Sequence, residues 1–277
     1  MVFKEHIVNK LSVIPVQSGV GNWTKENTKG YDVFPTSGPY WNAFICAKKK
    51  SGKSSLINLI TQKCTDKRTI IWIFCATHGI DPTWIEIKKY LNERGNLVNT
   101  FDSLMDGKTN ILDEIIDEIN TVEEVVEKEE PKPKQLLKFN EDKEMGGSGK
   151  KKEYKPKKTA CENLFIFDDM PAIFLRNNSI ARLLKIHRHS KSSVIISSQW
   201  ITDIQPQAIL QLDYFIAFRS LSQEKMENIH KLLDLSIEFS KFWDIYKHCT
   251  MEPYSFMWLS TRDEKFRCRL NKEIEDV

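Results

Sequence analysis

The chain is 277 residues long, enough for one large domain or two small ones, and 40% of its residues are hydrophobic, enough for a sizeable core. Its net charge is only +3 although 29% of residues are charged, so a polyanion would be met by local basic patches and not by overall charge. No apolar run approaches the ~20 residues that span a bilayer, and the opening Met1–His6 has no signal-type apolar stretch. The six cysteines are scattered without a Cys-x-x-Cys pair, so the expectation is an intracellular protein with reduced thiols and no structural zinc.

Residues 1–36 mix short apolar pieces with Gly, Asn, Thr and Pro. They read as a leader packed on a main domain that occupies 37–277, with Trp23, Tyr31 and Phe34 as anchors. Gly19-Val20-Gly21 resembles the start of a dinucleotide fingerprint but lacks its third glycine and its helix. The first core strand is Phe44–Cys46. It stops at Ala47, the turn Lys48-Lys49-Lys50-Ser51 follows, and Gly52-Lys53-Ser54-Ser55 opens a helix that runs to about Gln62. Strand, polar turn and helix in this order make a P-loop, which asks for Gly, four free positions, then Gly-Lys-[Ser/Thr]. Ala47 stands where the first glycine belongs, and it suits the turn only with a negative φ.

Thr69–Cys75 is almost unbroken apolar sequence, as in a strand buried on both faces. Asp81-Pro82-Thr83-Trp84 starts a helix that ends near Asn92, and Ile111 to Val126 has helical apolar spacing with acids on the other face. Composition then shifts to Lys, Glu, Pro and Gly, which predicts a charged flexible insertion at about 127–160. Gly146-Gly147-Ser148-Gly149-Lys150 has P-loop composition, but no strand precedes it and Lys151 stands where Ser or Thr is needed. The seven lysines from Lys143 to Lys158 read as solvated charge, with DNA contact the alternative.

Beyond the insertion, Leu164–Phe167 is a strand ending in Asp168-Asp169. A helix covers Ile180–Ile186, Val194–Ser198 is a strand ending at Gln199, and Tyr214–Phe218 is a strand ending at Arg219. A helix over Gln223–Leu233 and a strand over Phe256–Leu259 complete the pattern. The alternation predicts an α/β fold built on a mainly parallel sheet flanked by helices.

The chemistry gathers around these strand ends. Amides at a helix N-terminus point at an anion, and Gly52 lets a phosphate approach the backbone. Lys53 is placed for the terminal phosphates, and Ser54 with Asp168 for Mg²⁺. Ala47, Lys48, Lys49, Lys50, Ser51, Gly52, Lys53, Ser54 and Ser55 form the nucleotide-binding candidates. Asp169 is the group that would polarise an attacking water, and Gln199 the amide that would sense a γ-phosphate. Arg188 and Arg219 are the two candidates for an arginine finger, with a surface ion pair the alternative for each. His187 and His189 flank Arg188 without further metal ligands and read as solvent or DNA contacts.

Ser51-Gly52-Lys53-Ser54, then Phe165-Ile166-Phe167-Asp168-Asp169, then Arg188 through Val194–Ser198 to Gln199, and Asp213–Arg219 together resemble the HerA/FtsK superfamily of P-loop ATPases. The branch they resemble is the genome-packaging ATPases of large and medium-sized double-stranded DNA viruses and virophages. The resemblance covers residues 38 to 220 or so. It implies a RecA/FtsK-like P-loop NTPase that uses ATP and Mg²⁺, forms a homo-oligomeric ring, and drives double-stranded DNA into a preformed capsid. It further implies contact with the capsid or its portal, no membrane span, and residence in the host-cell cytoplasm, the viral factory or the virion. Ala47, the long insertion and the unmatched segment after Arg219 depart from the family pattern. The alternatives are another DNA pump or helicase of this superfamily, and a non-hydrolysing nucleotide- or DNA-binding module.

Overall fold

The computed structural model describes residues 23–35, 37–128 and 158–274. Gly19–Gly21, Gly146–Lys150 and all of the lysine run except Lys158 lie outside the described residues. The first half contains β1 (Asn42–Cys46), α1 (Lys53–Cys64), β2 (Ile70–Phe74), α2 (Pro82–Arg94) and β3 (Val98–Phe101). A small hairpin, β4 (Met105–Asp106) and β5 (Thr109–Asn110), leads into α3 (Ile111–Lys128). The second half contains β6 (Asn163–Asp168), α4 (Ala172–Leu175), α5 (Asn178–Ile186), β7 (Ser192–Ser198), α6 (Pro206–Ile209) and β8 (Tyr214–Phe218). After these come α7 (Gln223–Leu232), α8 (Phe239–Cys249), β9 (Phe256–Ser260), β10 (Lys265–Cys268) and β11 (Lys272–Glu273).

Nine strands form one sheet in the order β11-β10-β9-β8-β1-β7-β6-β2-β3. The six from β8 to β3 run parallel, while β9, β10 and β11 extend the sheet antiparallel. The mainly parallel α/β expectation therefore holds. β1, β6, β7 and β8 are buried at every position, because helices cover both faces of the sheet.

Side-chain alternation along β1 divides the interior. Phe44 and Cys46 join α3, α5, α7 and α8 in one core, while Ala43 and Ile45 join α1 and α2 in the other. Each fully buried Leu, Ile or Phe in these layers contributes roughly 1.5–3 kcal/mol of transfer free energy. The helix ends follow their sequence. The Asp81 side chain accepts the Thr83 amide at 2.8 Å to cap α2, Pro82 sits at its first turn, and Gly95 closes it at φ 88°.

In the segment before β1, Phe34 is fully buried against Trp41 and Tyr214, Trp23 packs edge-on to Tyr40, and Tyr31 is half-exposed. Several elements have no counterpart in the sequence reading: the half-buried edge strand β3, α8, and the β10–β11 extension. The expectation of six reduced thiols is corrected. Cys249, at the end of α8, is joined to Cys268, at the end of β10, and four cysteines remain free and buried.

Candidate functional site

Because β1, β7 and β6 are neighbours and parallel, the loops after their carboxyl ends share one edge of the sheet. Backbone hydrogen bonds fasten those loops together. The Ala47 amide donates to the Ser198 carbonyl at 3.1 Å, and the Asp169 amide donates to the Ser197 carbonyl at 3.1 Å. The turn between β1 and α1 places its left-handed residues at Lys50 (φ 61°) and Gly52 (φ 93°), whereas Ala47 is outside that region. Alanine at the first motif position therefore needs no strained backbone. Gly52 is required: its φ favours glycine, and an added Cβ would stand 3.4 Å from the Tyr254 ring.

Lys53, the first residue of α1, is only 8% exposed. Its Nζ lies 3.0 Å from Asp168 Oδ1 and also forms an ion pair with Asp169 Oδ2. Burial pulls the Lys53 ammonium down, but the two carboxylates outweigh it and raise its pKa above the ordinary 10.5. Asp168 is 3% exposed, and its Oδ2 accepts a hydrogen bond from Trp84 Nε1 at 2.9 Å. Oδ1 of Asp168 is buried and close to Lys53, yet without a hydrogen bond of good geometry. Asp169 adopts φ 50°, a strained conformation for a non-glycine residue and one that turns the chain straight after β6.

A cavity of about 880 Å³ opens over this edge, lined by Lys49, Lys50, Ser54, Asp169, Gln199 and Tyr254 among others. Lys53, Ser55, Gly52 and Asp168 also line it. Ser51 is half-buried with its Oγ buried and unbonded, and Lys48 is exposed on the turn. The Gln199 carbonyl accepts a hydrogen bond from the Cys46 thiol at 3.3 Å, which fixes its backbone at the end of β7. Burial pushes the Cys46 thiol up to about 12, so it stays protonated and serves as a packing group.

The two arginines separate. Arg219 follows β8 at the same edge of the sheet, exposed, with its amide bonded to the Ser255 carbonyl at 3.1 Å. Arg188 lies before β7, at the amino edge, where its Nη2 donates to Asp213 Oδ1 at 2.9 Å. Within one chain Arg188 is therefore on the far side of the sheet from Lys53. His187 is buried beside it, with Nδ1 2.8 Å from the Leu184 carbonyl and 3.1 Å from the Asn42 amide, while His189 is exposed.

Three site residues escaped the sequence reading. Trp84 donates to Asp168 across 84 positions of sequence, which no local pattern reveals. Trp200, 54% exposed after Gln199, lies under the Lys225 ammonium at 3.8 Å, and Tyr254 stands beside Gly52. Among the described residues no three His, Cys, Asp or Glu side chains gather as a metal cage. Mg²⁺ keeps several waters and uses one or two carboxylates plus phosphate, so the relevant donors are single hard oxygens and not a cage. Asp168 Oδ1, ion-paired with Lys53, and the Ser54 hydroxyl in the same cavity are donors of that kind.

A phosphate loop that ends in Gly-Lys-Ser at a helix N-terminus, with a buried acid closing the next strand but one, defines the class as a P-loop NTPase. Within that class, the family described as Poxvirus A32 protein matches residues 120–252. The matched stretch contains Asp168, Asp169 and Gln199, and the phosphate loop precedes it. Among solved structures the chain resembles the genome packaging NTPase B204 from Sulfolobus turreted icosahedral virus 2 in complex with AMPPCP. That likeness has a TM-score of 0.51 at 15% identity, over 83% of this chain and 97% of that one. It is also similar to B204, the DNA-packaging ATPase from Sulfolobus turreted icosahedral virus, with a TM-score of 0.50 at 16% identity, over 83% and 96%. At these identities the likeness is one of fold. No curated protein matches the chain.

Proposed function

We propose that this chain is an ATP-hydrolysing motor of the HerA/FtsK type that moves double-stranded DNA and packages a viral genome into a preformed capsid. The observation behind the proposal is the buried Lys53–Asp168 pair at the head of α1, with the more exposed Asp169 joined to it and Gln199 on the same sheet edge. Without nucleotide, the carboxylates hold the Lys53 ammonium. An arriving triphosphate offers it a stronger anionic partner, and Lys53 leaves the acids to neutralise the terminal phosphates. Asp168 and Ser54 would hold Mg²⁺, which supplies charge neutralisation across the β- and γ-phosphates when bound. Asp169, partly exposed and freed of the ammonium, would orient and polarise a water, and the Gln199 amide would hydrogen-bond the γ-phosphate. The hydrogen bond from Trp84 would hold Asp168 in position as Lys53 leaves.

In a homo-oligomeric ring either Arg219 or Arg188 would serve a neighbouring subunit's site, which is how a residue at the amino edge could act on another chain's phosphates. Lysines on the loops would contact DNA phosphates without reading bases. The cell compartment that fits is the host cytoplasm or viral factory, with capsid or portal as docking partner. No helix among the described residues is long and apolar enough to cross a membrane.

ATP turnover measured with and without double-stranded DNA tests this reading. Turnover that rises with DNA and vanishes in Lys53→Ala is expected. Turnover indifferent to DNA removes the translocation part, and no turnover at all removes the enzyme. For the finger, mixing Arg188→Ala or Arg219→Ala protein with Lys53→Ala protein should restore activity at mixed interfaces. Failure to do so at any ratio, with assembly intact, counts against that arginine.

A further inference from the structure

Lys53, Asp168, Asp169 and Gln199 fix where a triphosphate's terminal end must lie: over β1 and toward β7 and β6. A nucleotide is linear from terminal phosphate to base. With its phosphate tail on that side of the phosphate loop, its nucleoside has to leave over the other side, toward β8 and β9. Tyr254 is what stands there. Its ring packs over the Cα of Gly52, so that a Cβ built on Gly52 would meet Tyr254 Cδ1 at 3.4 Å and Phe218 Cε1 at 4.0 Å. It lines the cavity and is nevertheless 70% exposed. An aromatic ring left open to water at the rim of a polar cavity is a surface awaiting a flat apolar partner.

The backbone around Tyr254 is held as a platform would need to be. Tyr254 itself adopts φ 57°, a conformation that costs a non-glycine residue energy and persists only where the surroundings enforce it. The enforcement is visible on both sides. Ser255 donates its hydroxyl to the Glu252 carbonyl at 2.5 Å, and the Ser255 carbonyl accepts the Arg219 amide at 3.1 Å. Arg269 donates to Glu252 at 2.8 Å, and the link from Cys249 to Cys268 ties the start of the loop to β10. The other exposed aromatic on the rim, Trp200, follows Gln199 on the phosphate side, and one of its faces is taken by Lys225.

We infer that Tyr254 is the base platform of the nucleotide site, stacking its ring on the purine of the bound nucleotide and so making the site prefer a nucleoside triphosphate over a bare polyphosphate. This inference rests on the proposed nucleotide function, and it assigns the base-binding side that no sequence motif marks.

The test is equilibrium binding to the whole chain of two probes, ATP and inorganic tripolyphosphate, by calorimetry. It uses wild type, Tyr254→Ala, Tyr254→Phe and Trp200→Ala. Stacking of a base on an aromatic ring predicts an ATP affinity loss of about 5- to 150-fold in Tyr254→Ala. Tripolyphosphate affinity should stay unchanged, and Tyr254→Phe should bind ATP within about twofold of wild type. Equal loss of both probes in Tyr254→Ala means that the residue only shapes the phosphate loop, and overturns the inference. So does unchanged ATP binding, or an ATP-selective loss in Trp200→Ala in place of Tyr254→Ala. A wild-type chain that binds tripolyphosphate as well as ATP refutes the platform while leaving the phosphate site standing. A wild-type chain that binds neither refutes the nucleotide function itself, and the platform with it.

Discussion

Lys53→Ala separates a buried ion cluster from a decorative surface pair through stability alone, before any nucleotide is added. The Lys53 and Asp168 side chains are 10% and 4% exposed and 3.0 Å apart, while Asp169 is 40% exposed. With an effective dielectric of about 20, the gross attraction across 3.0 Å is about 5 kcal/mol, most of it offset by desolvation of the two groups. Removing the cation leaves that desolvation in place with nothing against it. The expected cost is thus that of breaking a buried pair, about 3 kcal/mol, with Asp169 adding little because water screens it. For a chain of this length, that lowers Tm by roughly 5 °C. The assay is urea denaturation of Lys53→Ala, Asp168→Asn and the double variant without nucleotide. The double variant should recover at least 1 kcal/mol relative to the sum of the singles, because no unpaired charge remains buried. A Lys53→Ala cost under about 1 kcal/mol with no coupling to Asp168 would place the pair in the class of solvated surface bridges and refute the argument.

Trp84→Phe keeps the buried ring but removes the donor to Asp168 Oδ2, and should cost about 1–3 kcal/mol. It should also lower ATP turnover roughly tenfold with ATP affinity little changed; full turnover would show that Asp168 is positioned without it. Burial holds the His187 imidazole below its ordinary 6.5, with Asp213 opposing and Arg188 and His189 assisting. A lowered pKa means that the unfolded chain takes up the proton first. Stability contributed by neutral His187 is therefore full above pH 6.5 and lost as pH falls through the folded value. Thermal melts between pH 7.5 and 5 should show this decline, and His187→Gln should flatten it; an equal slope in the variant refutes the assignment. The bond from Cys249 to Cys268 closes a loop with a sequence separation of 19, worth about 3 kcal/mol in the chain-entropy account. Cys249→Ser should lower the urea midpoint of protein kept without reductant and abolish any further effect of dithiothreitol. A wild-type midpoint that ignores dithiothreitol would mean that the thiols stay apart.

The parts of this fold that are legible in sequence are those where a local rule and the tertiary structure coincide. β6 announces itself because burial on both faces leaves Leu164 to Phe167 an unbroken apolar run, which Asp168 ends; in β7 only Val194-Ile195-Ile196 carries that signal, and buried serines lie between it and Gln199. Gly52-Lys53-Ser54 is legible because a phosphate loop needs those atoms in that order. β3 is illegible for the opposite reason: Val98-Asn99-Thr100-Phe101 is half-buried at the sheet edge and has no pattern beyond four mixed residues. α8 is legible in the helical spacing of Phe239, Phe242, Ile245, Tyr246 and Cys249, although it carries no motif. Arg188 offers a subtler case. It precedes a seven-residue strand that Gln199 follows, and at ~3.3 Å per residue such a strand is over 20 Å long. The distance between the two residues was thus implicit in the sequence once the strand was recognised. Trp84 and Tyr254 depend on packing between elements remote in sequence, and no local rule reaches them.

The place of β1 in the sheet also sets a schedule for synthesis. The strand that leads into the phosphate loop has no neighbour from its own half of the chain: it lies between β7 and β8, with Asn42 paired to Val194 and Ala43 to Tyr214. At ~5–20 residues per second, the ribosome needs roughly 8–30 s to go from Asn42 to its partner Val194. Throughout that interval Phe44 and Ile45 have no sheet to join, and the phosphate loop has no β7 carbonyl to tie it down. Nascent chains stalled before Ser192 should be cut by protease near β1, and chains stalled well beyond Phe218 should resist; early resistance would mean that β1 finds other cover. The proposed nucleotide site is thus among the last features of the molecule to come into existence, although Gly52, Lys53 and Ser54 are among the first of its residues to be made.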